Sequence, residues 1–352
     1  MKVLYLTKYP RKGASSRLRS YQFFPLLEAA GIEVTAQSFF NEIYLNNLYA
    51  KKSNGGLLIF SFYLKRFFAI FTAFRYDKIV IEKEIFPYFF SWFEKIFFYL
   101  KIEYIVDYDD AIFHNYDLNT SKFIRFFLKN KIANVMKYSG CVMAGNSYLY
   151  EKAKNSGAKK VIKQPTVIDL EKYNCVEKSA NSKVVIGWIG SPTTFKYVTA
   201  LQPVFERLLL KYDIEIQIVG AKEDIGLGDA MQYILWNENT EVEAISKFDI
   251  GIMPLENTPW ELGKCSYKLI QYMGCGKPVV GSAVGMNNEV IDDTKNGFLV
   301  FDDCEWYEKL SVLIENKTLR NQFGIAGRQK VAGHYNLENN FKKLLTILSN
   351  AS

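Results

Sequence analysis

Residues 249–300 read DIGIMPLENTPWELGKCSYKLIQYMGCGKPVVGSAVGMNNEVIDDTKNGFLV, and this stretch decides the fold class. The apolar run Ile250–Met253 predicts a buried strand, which is followed by a helix near Lys264–Met273 and a second strand over Pro278–Gly281. Another strand is expected at Phe298–Val300. Strands that alternate with helices are typical of a parallel sheet covered by helices on both faces.

The same alternation extends over the rest of the chain, with helices predicted to run to Ala30 and to about Lys211. The other predicted strands are Val3–Leu6, Ile32–Ala36, Lys78–Ile81, Tyr104–Val106, Cys141–Ala144, Val161–Ile162, Val184–Gly190 and Ile214–Val219. A polar linker, Asn174–Lys183, separates two runs of this pattern. We therefore predict two doubly wound α/β domains, residues 1–175 and 176–352, with the last helix packing back on the first domain.

Composition limits the classes of function. Apolar residues make up 49% of the 352 residues and charged residues 23%, which indicates a globular chain with a core. The five cysteines stand singly and there are only two histidines, which argues against a zinc module or disulfide scaffold and for a reducing cytosol. The first residues are too short an apolar stretch for a signal peptide, and no uninterrupted apolar run approaches the roughly 18 residues of a membrane-spanning helix. These counts exclude a secreted mini-protein, an integral membrane protein and a zinc hydrolase.

Charge and aromatic residues are concentrated in the first part of the chain. Residues 1–175 carry 26 Lys and Arg against 15 Asp and Glu, a net +11, whereas residues 176–352 carry 18 against 22, a net −4. The stretches 60–75 and 121–137 combine aromatic and basic residues, which predicts contact with an anionic membrane surface. The apolar helix predicted at 87–100 is expected to be buried. Nucleic acid is a less favoured partner because no nucleic-acid-binding motif is present.

Two lysines mark a candidate phosphate site. Lys264 and Lys268 are four residues apart, on one face of the predicted helix or of its approach. The amino end of a helix carries partial positive charge and unpaired amide donors, so this site suits a diphosphate. The alternative is a surface helix whose lysines are simply solvated.

Four segments carry a family resemblance: Asp249–Pro254, Gln271–Val280, Gly285 with Glu289, and Asn296–Val300. In this order and spacing they resemble the donor-site block of the family-four glycosyltransferases, which are retaining enzymes of the GT-B fold. The resemblance covers most of the chain. It implies an α/β protein of two Rossmann-like domains facing each other across a cleft, with the nucleotide sugar bound by the second domain.

The resemblance also implies the residues of the donor site. Gly190 with Lys196 is similar to the family's phosphate loop at the head of the second domain. The implied donor-binding residues are Gly190, Ser191, Lys196, Gly263, Lys264, Cys265, Ser266, Lys268, Gln271 and Glu289.

Two departures from the family pattern affect this site. Of the family's two glutamates, the one near the ribose corresponds to Gln271 and the one near the transferred sugar to Gly263, so Glu261 is the nearby carboxylate that stands in. Ser191 occupies the position of an arginine that binds the donor phosphates in the family, and a lost charge-assisted contact costs about 1.5–3 kcal/mol. Our hypothesis is that Lys264 restores the missing positive charge.

Three segments of the first domain fall where the family has acceptor-side loops: Gly13–Arg17, Asp107–Ala111 and Ala144–Asn146. The implied acceptor-binding residues are Gly13, Arg17, Arg19 and Asp110, and Asp109 or Asp110 is expected to orient the acceptor hydroxyl or to contact the donor sugar. Two alternatives remain for the aspartates. They cap the following helix, or Asp107-Tyr108-Asp109 holds a divalent cation, as the Asp-x-Asp motif of the GT-A fold does. For Arg17 and Arg19 the alternative is a capped helix with solvated arginines.

The resemblance implies a metal-independent, retaining, hexosyltransferase-like glycosyltransferase without a cofactor, with Lys196, Lys264, Asp109 and Glu261 as catalytic residues. Lys196, Lys264 and Lys268 would stabilise the departing diphosphate. The expected partners are a nucleotide-sugar donor and a glycan or lipid-linked acceptor at the inner face of the membrane, in polysaccharide or glycolipid biosynthesis. The alternatives are a nucleotide-sugar epimerase of the same architecture and a catalytically silent nucleotide-sugar-binding subunit.

Overall fold

A computed structural model of the chain describes residues 1–50, 52–173 and 183–350. The predicted linker Asn174–Lys183 therefore lies outside the described residues, except for its last residue. Packing divides the chain into two compact units. The first unit comprises Met1–Thr166, Gly263–Cys265 and Asn340–Ser352, and the second comprises Val167–Leu262 and Ser266–Asn339.

The first unit is built on a parallel sheet. Its strands, among the described residues, are β1 (Lys2–Thr7), β2 (Glu33–Ser38), β3 (Lys78–Glu82), β4 (Tyr104–Tyr108), β5 (Cys141–Ala144) and β6 (Val161–Lys163). They pair in the order β2-β1-β3-β4-β5-β6, every neighbouring pair parallel. The central strands β1, β3, β4 and β5 are apolar on both faces and almost wholly buried, which is typical of a parallel sheet with helices on both sides.

The helices of the first unit connect these strands. They are α1 (Ala14–Arg19), α2 (Phe24–Ala29), α3 (Glu42–Tyr49), α4 (Gly56–Ile70), α5 (Trp92–Tyr99), α6 (His114–Asp117), α7 (Lys122–Leu128), α8 (Lys131–Tyr138) and α9 (Ser147–Asn155). The single helix predicted to end at Ala30 is two helices, because Pro25 fits only the first turn of a new helix. The helix predicted over 87–100 is confined to α5, where Trp92, Phe98 and Tyr99 are exposed. The expectation that this helix is buried is therefore wrong for its outer face.

Helix α4 and the residues after it qualify as a candidate membrane span. Gly56–Arg75 is 20 residues long with a mean hydropathy of 1.6, and 22% of its apolar window is buried. The sequence analysis expected no segment of this kind, because it considered only uninterrupted apolar runs. Lys65 and Arg66 interrupt the run, but the segment remains apolar on average. Arg66 is nevertheless 1% exposed and donates to the carbonyl of Thr7 at 2.6 Å, so this helix packs on the sheet through its arginine.

The second unit contains a second parallel sheet. Its strands, within the described part of the chain, are β7 (Val184–Ile189), β8 (Ile214–Val219), β9 (Met231–Ile234), β10 (Ile250–Met253), β11 (Val279–Ser282) and β12 (Gly297–Val300). The strand order is β12-β11-β10-β7-β8-β9, with parallel pairing throughout. Strand β9, at the edge of the sheet, was not among the predicted strands.

The helices of the second unit complete the alternation. They are α10 (Lys196–Thr199), α11 (Gln202–Lys211), α12 (Glu241–Ser246), α13 (Pro259–Leu262), α14 (Tyr267–Gly274), α15 (Asn287–Val290), α16 (Asp303–Glu315), α17 (Lys317–His334) and α18 (Leu337–Asn350), the last of which continues into residues of the first unit. A core of fully buried Trp188, Phe195, Phe205 and Leu310 lies between the sheet and these helices. Both sheets place the loops after their strands at one edge, where ligands of doubly wound folds bind.

Candidate functional site

The order of strands in the second unit defines where a ligand is expected. Strand β7 is followed in sequence by β8 and β9 on one side, and β10 then lies on the other side of β7. The loops after β7 and β10 therefore flank the point at which the strand order reverses, which is the usual ligand crevice of such a sheet. Gly190 and Ser191 begin the loop after β7, and Glu256 lies in the loop after β10.

Lys268 lies directly beside the loop after β7. A Cβ atom on Gly190 would approach the Cε of Lys268 to 2.8 Å, so the absence of a side chain at Gly190 makes room for the lysine stem. The ammonium of Lys268 lies 5.5 Å from the centre of the Trp188 ring. Ser191 is half-buried, and its hydroxyl is 2.9 Å from that of Thr193. The structure thus brings together Gly190, Ser191 and Lys268 of the predicted donor site.

Lys196 forms an ion pair with the loop after β10. It is the first residue of α10, and its ammonium is 3.3 Å from the carboxylate of Glu256, which lies in the loop after β10. Both side chains are about half exposed, so the pair contributes little to stability. The positive charge of Lys196 is therefore already partly balanced by Glu256.

Gln271 belongs to a buried network. It lies on α14, is 2% exposed, and donates from its Nε2 to the hydroxyl of Tyr173 at 2.8 Å. The Tyr173 hydroxyl is also 3.4 Å from a carboxylate oxygen of Glu241. Burial, together with Tyr267 and Glu241, raises the pKa of Tyr173 well above its usual range, so the network is neutral at this hydroxyl.

Glu261, the residue expected to replace the family's missing glutamate, is also buried. It is 3% exposed and accepts short hydrogen bonds from the hydroxyls of Tyr197 and Thr258. Ser266 is held in the left-handed region at φ 49° and donates to Asn287 at 2.7 Å. Glu289, the remaining predicted donor-side carboxylate, lies on α15 and is half-buried. Glu261 and Ser266 are therefore buried and hydrogen-bonded inside the second unit.

Gly263, Lys264 and Cys265 belong to the first unit. A Cβ on Gly263 would collide with Ala111, and the thiol of Cys265 donates to the carbonyl of Asp109 at 3.1 Å. The carbonyl of Lys264 accepts from the side chain of Asn146 at 3.0 Å. Helix α14 begins at Tyr267, so Lys268 lies on the helix and Lys264 in the approach to it. The requirement for Gly263 is close packing rather than chemistry.

Arg19 and Arg17 are buried in the first unit and are not solvated helix arginines. The guanidinium of Arg19 holds both carboxylate oxygens of Asp107, at 2.9 and 2.5 Å, and donates to the carbonyl of Gln164 at 2.7 Å. A Cβ on Gly13 would collide with Tyr9, so this residue serves the packing of the loop after β1. Asp107 is thus already paired with a cation, which disfavours its use as a metal ligand in an Asp-x-Asp motif.

A cluster that the sequence did not predict surrounds Asp109 and Asp110. The ammonium of Lys83 is 3.0 Å from Asp109 and 3.5 Å from Asp110, and the Lys83 side chain is 3% exposed. The hydroxyl of Ser15 donates to Asp109 at 2.6 Å and to Glu82 at 3.1 Å. Asp109 is 12% exposed and Asp110 is 34% exposed, so Asp110 is the member that faces solvent.

The backbone at Lys83 is strained. Its φ is 71°, and the amide of Glu84 donates to the carbonyl of Glu82 at 2.9 Å, which closes a γ-turn of the uncommon type. A lysine in this region costs of order 1 kcal/mol, and such strain clusters at functional sites. The turn directs the ammonium of Lys83 toward the two aspartates.

The charges of this cluster set different protonation tendencies. Burial favours a higher pKa for Asp109, but the nearby charges of Lys83 and Arg19 outweigh it and hold that pKa below its usual value. Burial and the charge of Asp109 raise the pKa of Asp110. Asp109 therefore stays ionised more firmly than Asp110, and the two carboxylates titrate as a coupled pair.

Comparison with known proteins agrees with this architecture. Residues 183–316 match the family described as glycosyl transferases group 1. The match covers less than half of the chain and contains Gly190, Lys196, Lys268 and Gln271. No curated protein sequence matches the chain.

Solved glycosyltransferase structures share the fold over nearly the whole chain. Sucrose-phosphate synthase from Thermosynechococcus elongatus has a TM-score of 0.74 at 14% identity, with 100% of both chains covered. HepE from Anabaena, in complex with UDP-glucose, has a TM-score of 0.67 at 16% identity, with 99% of both chains covered. The lipopolysaccharide outer core galactosyltransferase WaaB has a TM-score of 0.69 at 12% identity, with 100% of both chains covered. The two parallel six-stranded sheets of this chain therefore form the GT-B fold.

Proposed function

We propose that the protein is a retaining glycosyltransferase that moves a hexose from a nucleotide-sugar donor to a glycan or lipid-linked acceptor. The observation that carries the proposal is the position of the Lys268 side chain beside Gly190, at the ligand crevice of the second unit. The same unit contains most of the segment that matches the group 1 glycosyl transferases. HepE, which shares the fold, was solved with UDP-glucose bound. This relative supports a nucleotide sugar as the donor.

The donor diphosphate is expected to bind between the loop after β7 and the amino end of α14. Lys268 supplies positive charge beside Gly190, and Lys196, which pairs with Glu256 of the loop after β10, is proposed to supply a second charge. Cleavage of the bond between sugar and diphosphate builds negative charge on the departing phosphate, and fixed cations stabilise that charge most in the transition state. In this proposal the two lysines perform the electrostatic work without a protein-bound metal.

The acceptor is expected to bind at the carboxyl edge of the sheet of the first unit. Asp110 is partly exposed there, and the buried ammonium of Lys83 pairs with both Asp110 and Asp109. In the proposed reaction the acceptor hydroxyl approaches the sugar on the face that the diphosphate leaves. The departing phosphate takes the proton of that hydroxyl, so the configuration at the anomeric carbon is retained.

The first unit carries an aromatic surface suited to a membrane. Edge-to-face and tilted ring contacts run from α4 through α5 to α7, with centroid distances of 6.0 Å for Phe67–Phe93, 6.3 Å for Phe93–Phe89 and 6.4 Å for Phe90–Phe127. The exposed rings of this aromatic surface are Phe67, Phe71, Trp92, Phe123, Phe126 and Phe127. Exposed apolar residues that are contiguous in this way mark an interaction site.

Basic residues accompany the aromatic surface. Lys65, Lys95, Lys122 and Lys129 are exposed on the same helices or at their ends. Each lysine near an anionic leaflet contributes about 1 kcal/mol. We therefore place the protein in the cytoplasm, at the inner face of a membrane, with polysaccharide or glycolipid biosynthesis as its process.

A transfer assay tests the proposed activity. The enzyme is incubated with radiolabelled UDP-, GDP-, dTDP- or ADP-sugars and a membrane lipid extract, and the label that enters the organic phase is measured. We expect one donor to give transfer, a large loss in Lys268→Ala, and no loss in Lys317→Ala, which removes an exposed lysine of the same unit. The product should have the anomeric configuration of the donor by NMR.

The same assay separates the alternatives. Conversion of the donor sugar to its epimer in the absence of the extract would instead show an epimerase. Nucleotide binding without turnover in any extract would show a silent binding subunit.

Vesicle flotation tests the membrane component. Vesicles of phosphatidylglycerol and phosphatidylcholine should carry the wild type, and a Phe71→Ser, Phe126→Ser double variant should remain largely unbound. Leu210→Ser serves as the matched control, because Leu210 is 90% exposed but lies in the second unit. Equal flotation of the double variant and the wild type would contradict the membrane assignment.

A further inference from the structure

An exposed indole stands at the ligand edge of the second unit. Trp236 follows the carboxyl end of the edge strand β9 and is 40% exposed. Its indole nitrogen donates to the carboxylate of Glu241 at 2.9 Å. Glu241 is the first residue of α12, so the indole is held from a neighbouring element and does not depend on its own loop for orientation.

Two glycines lie between the loop after β7 and this indole. Gly220 follows β8 with φ 89°, a conformation that favours glycine. A Cβ on Gly220 would collide with the carbonyl of Gly190 and would lie 3.2 Å from the Cβ of Trp236. Gly190, Gly220 and Trp236 therefore lie side by side at the ends of β7, β8 and β9. Because Gly190 and Gly220 have no side chains, neither residue covers the space beside the indole with a side chain of its own.

Hydrogen bonds connect the indole with the predicted ribose contact. Glu241 accepts from Trp236 through one carboxylate oxygen and lies 3.4 Å from the Tyr173 hydroxyl through the other. Tyr173 in turn accepts from Gln271 at 2.8 Å. All four residues belong to the second unit. These hydrogen bonds link the indole to Gln271 through Glu241 and Tyr173 within the second unit.

We propose that Trp236 is the platform on which the nucleobase of the donor stacks, with Glu241 as the residue that positions the indole. This inference rests on the proposed function, because it assumes that the crevice binds a nucleoside diphosphate. Stacking uses the face of a base, which all bases share, so the platform tolerates different bases. Selection among bases then depends on their stacking strength and on the shape of the surrounding loop.

Calorimetric titration with UDP, GDP, dTDP, ADP and inorganic pyrophosphate tests the proposal. Loss of one base–aromatic stack weakens binding by about 5- to 150-fold, and we expect that loss in Trp236→Ala for the nucleotide that the wild type binds best. Trp236→Phe should recover most of the affinity, because it retains an aromatic face. Leu235→Ala is the matched control, since Leu235 is the adjacent residue and is 90% exposed. It should bind as the wild type does.

Pyrophosphate distinguishes stacking from a disturbed phosphate loop. Because it has no base, its affinity should be the same for the wild type and Trp236→Ala. Equal loss of pyrophosphate and nucleotide affinity in Trp236→Ala would overturn the platform, and so would unchanged nucleotide affinity. Either result leaves the glycosyltransferase proposal standing if the wild type binds a nucleoside diphosphate. If the wild type binds none of them, both proposals fail.

Tryptophan fluorescence provides a readout independent of affinity. Stacking on Trp236 should quench the emission of the wild type on nucleotide binding. The quench should be lost in Trp236→Phe at nucleotide concentrations at which calorimetry shows binding. A quench of the same size in Trp236→Phe would place the base elsewhere and overturn the proposal.

Discussion

Replacing Lys83 with methionine should destabilise the first unit, and the size of the effect should depend on pH. Methionine retains most of the apolar stem of lysine but removes the ammonium. The substitution leaves Asp109, which is 12% exposed, without the charge that lies 3.0 Å away in the wild type. Asp110 loses a cation at 3.5 Å.

The magnitude follows from this geometry. At an effective dielectric constant of about 20, each of the two contacts supplies roughly 5 kcal/mol of attraction, which the burial of the lysine partly offsets. Removing one member of a buried ion pair costs about 3–5 kcal/mol. For a unit of this size, 1 kcal/mol changes the melting temperature by about 2–4 °C. We therefore expect a decrease of roughly 6–20 °C in the transition of the first unit at pH 7.5.

The pH dependence has a defined sign. In the wild type the pKa of Asp109 is held below its usual value, so its contribution to stability is complete above the unfolded pKa of about 3.9 and is lost as the pH falls through the folded value. Without Lys83, burial raises the folded pKa of Asp109 above the unfolded value. The variant then loses stability as the pH rises through that raised value. The difference in melting temperature between the wild type and the variant should consequently be larger at pH 7.5 than at pH 5.

Differential scanning calorimetry from pH 5 to 7.5 provides the measurement. Lys129→Met, which replaces an exposed lysine of the same unit, is the control and should change stability by no more than about 0.5 kcal/mol. Adding Asp109→Asn to Lys83→Met should remove most of the pH dependence, because the unpaired carboxyl is gone. A decrease in melting temperature below about 2 °C, or an equal decrease at every pH, would show that Lys83 does not stabilise the ionised form of Asp109.

Three further substitutions test separate contacts. Gly263→Ala should lower stability by about 1–3 kcal/mol in thermal unfolding, because its methyl group would collide with Ala111, and full stability would contradict the close packing. Glu256→Gln should leave stability within about 0.5 kcal/mol but tighten nucleotide binding in calorimetry, since it frees the charge of Lys196; weaker binding would contradict this. Gln271→Glu should cost about 1–3 kcal/mol in urea unfolding, because it removes the amide that donates to Tyr173 and buries a carboxylate in its place; an unchanged midpoint would count against the network.

The strands were predictable because buried parallel strands are short apolar runs. Cys141–Ala144 and Ile214–Val219 have the predicted bounds, and both are almost wholly buried. The undetected strand Met231–Ile234 lies at the sheet edge, where only Met231 is buried. Its sequence, Met-Gln-Tyr-Ile, lacks the continuous apolar run that identified the central strands. The loop that carries Trp236 went unnoticed with it.

The helix boundaries show where local patterns fail. The predicted helix to about Lys211 is interrupted, and a new helix begins at Gln202 with Pro203 in its first turn. Helix α14 begins later than predicted because Ser266 adopts the left-handed conformation. The residues before it pack against Ala111, which is far away in the sequence. A contact of that range leaves no periodic signal.

Part of the geometry of the candidate site was predictable from the sequence. The resemblance named Gly190 and Lys268, which lie side by side in the structure, and Gln271, which is buried against Tyr173. Lys83 was missed because its partners, Asp109 and Asp110, follow a different strand. Only the parallel pairing of β3 with β4 brings those loops together. The left-handed backbone conformation of Lys83 could not be predicted from the sequence either, because lysine rarely adopts that conformation.

Equilibrium binding of nucleoside diphosphates to the wild type and to Lys268→Ala tests most directly whether Lys268 binds the donor diphosphate. We expect at least one of UDP, GDP, dTDP and ADP to bind the wild type. The alanine variant should bind it about 10- to 150-fold more weakly, as expected for the loss of one charge-assisted contact. Absence of binding to the wild type, or equal affinity in the variant, would contradict the claim that this crevice receives the diphosphate of a sugar donor.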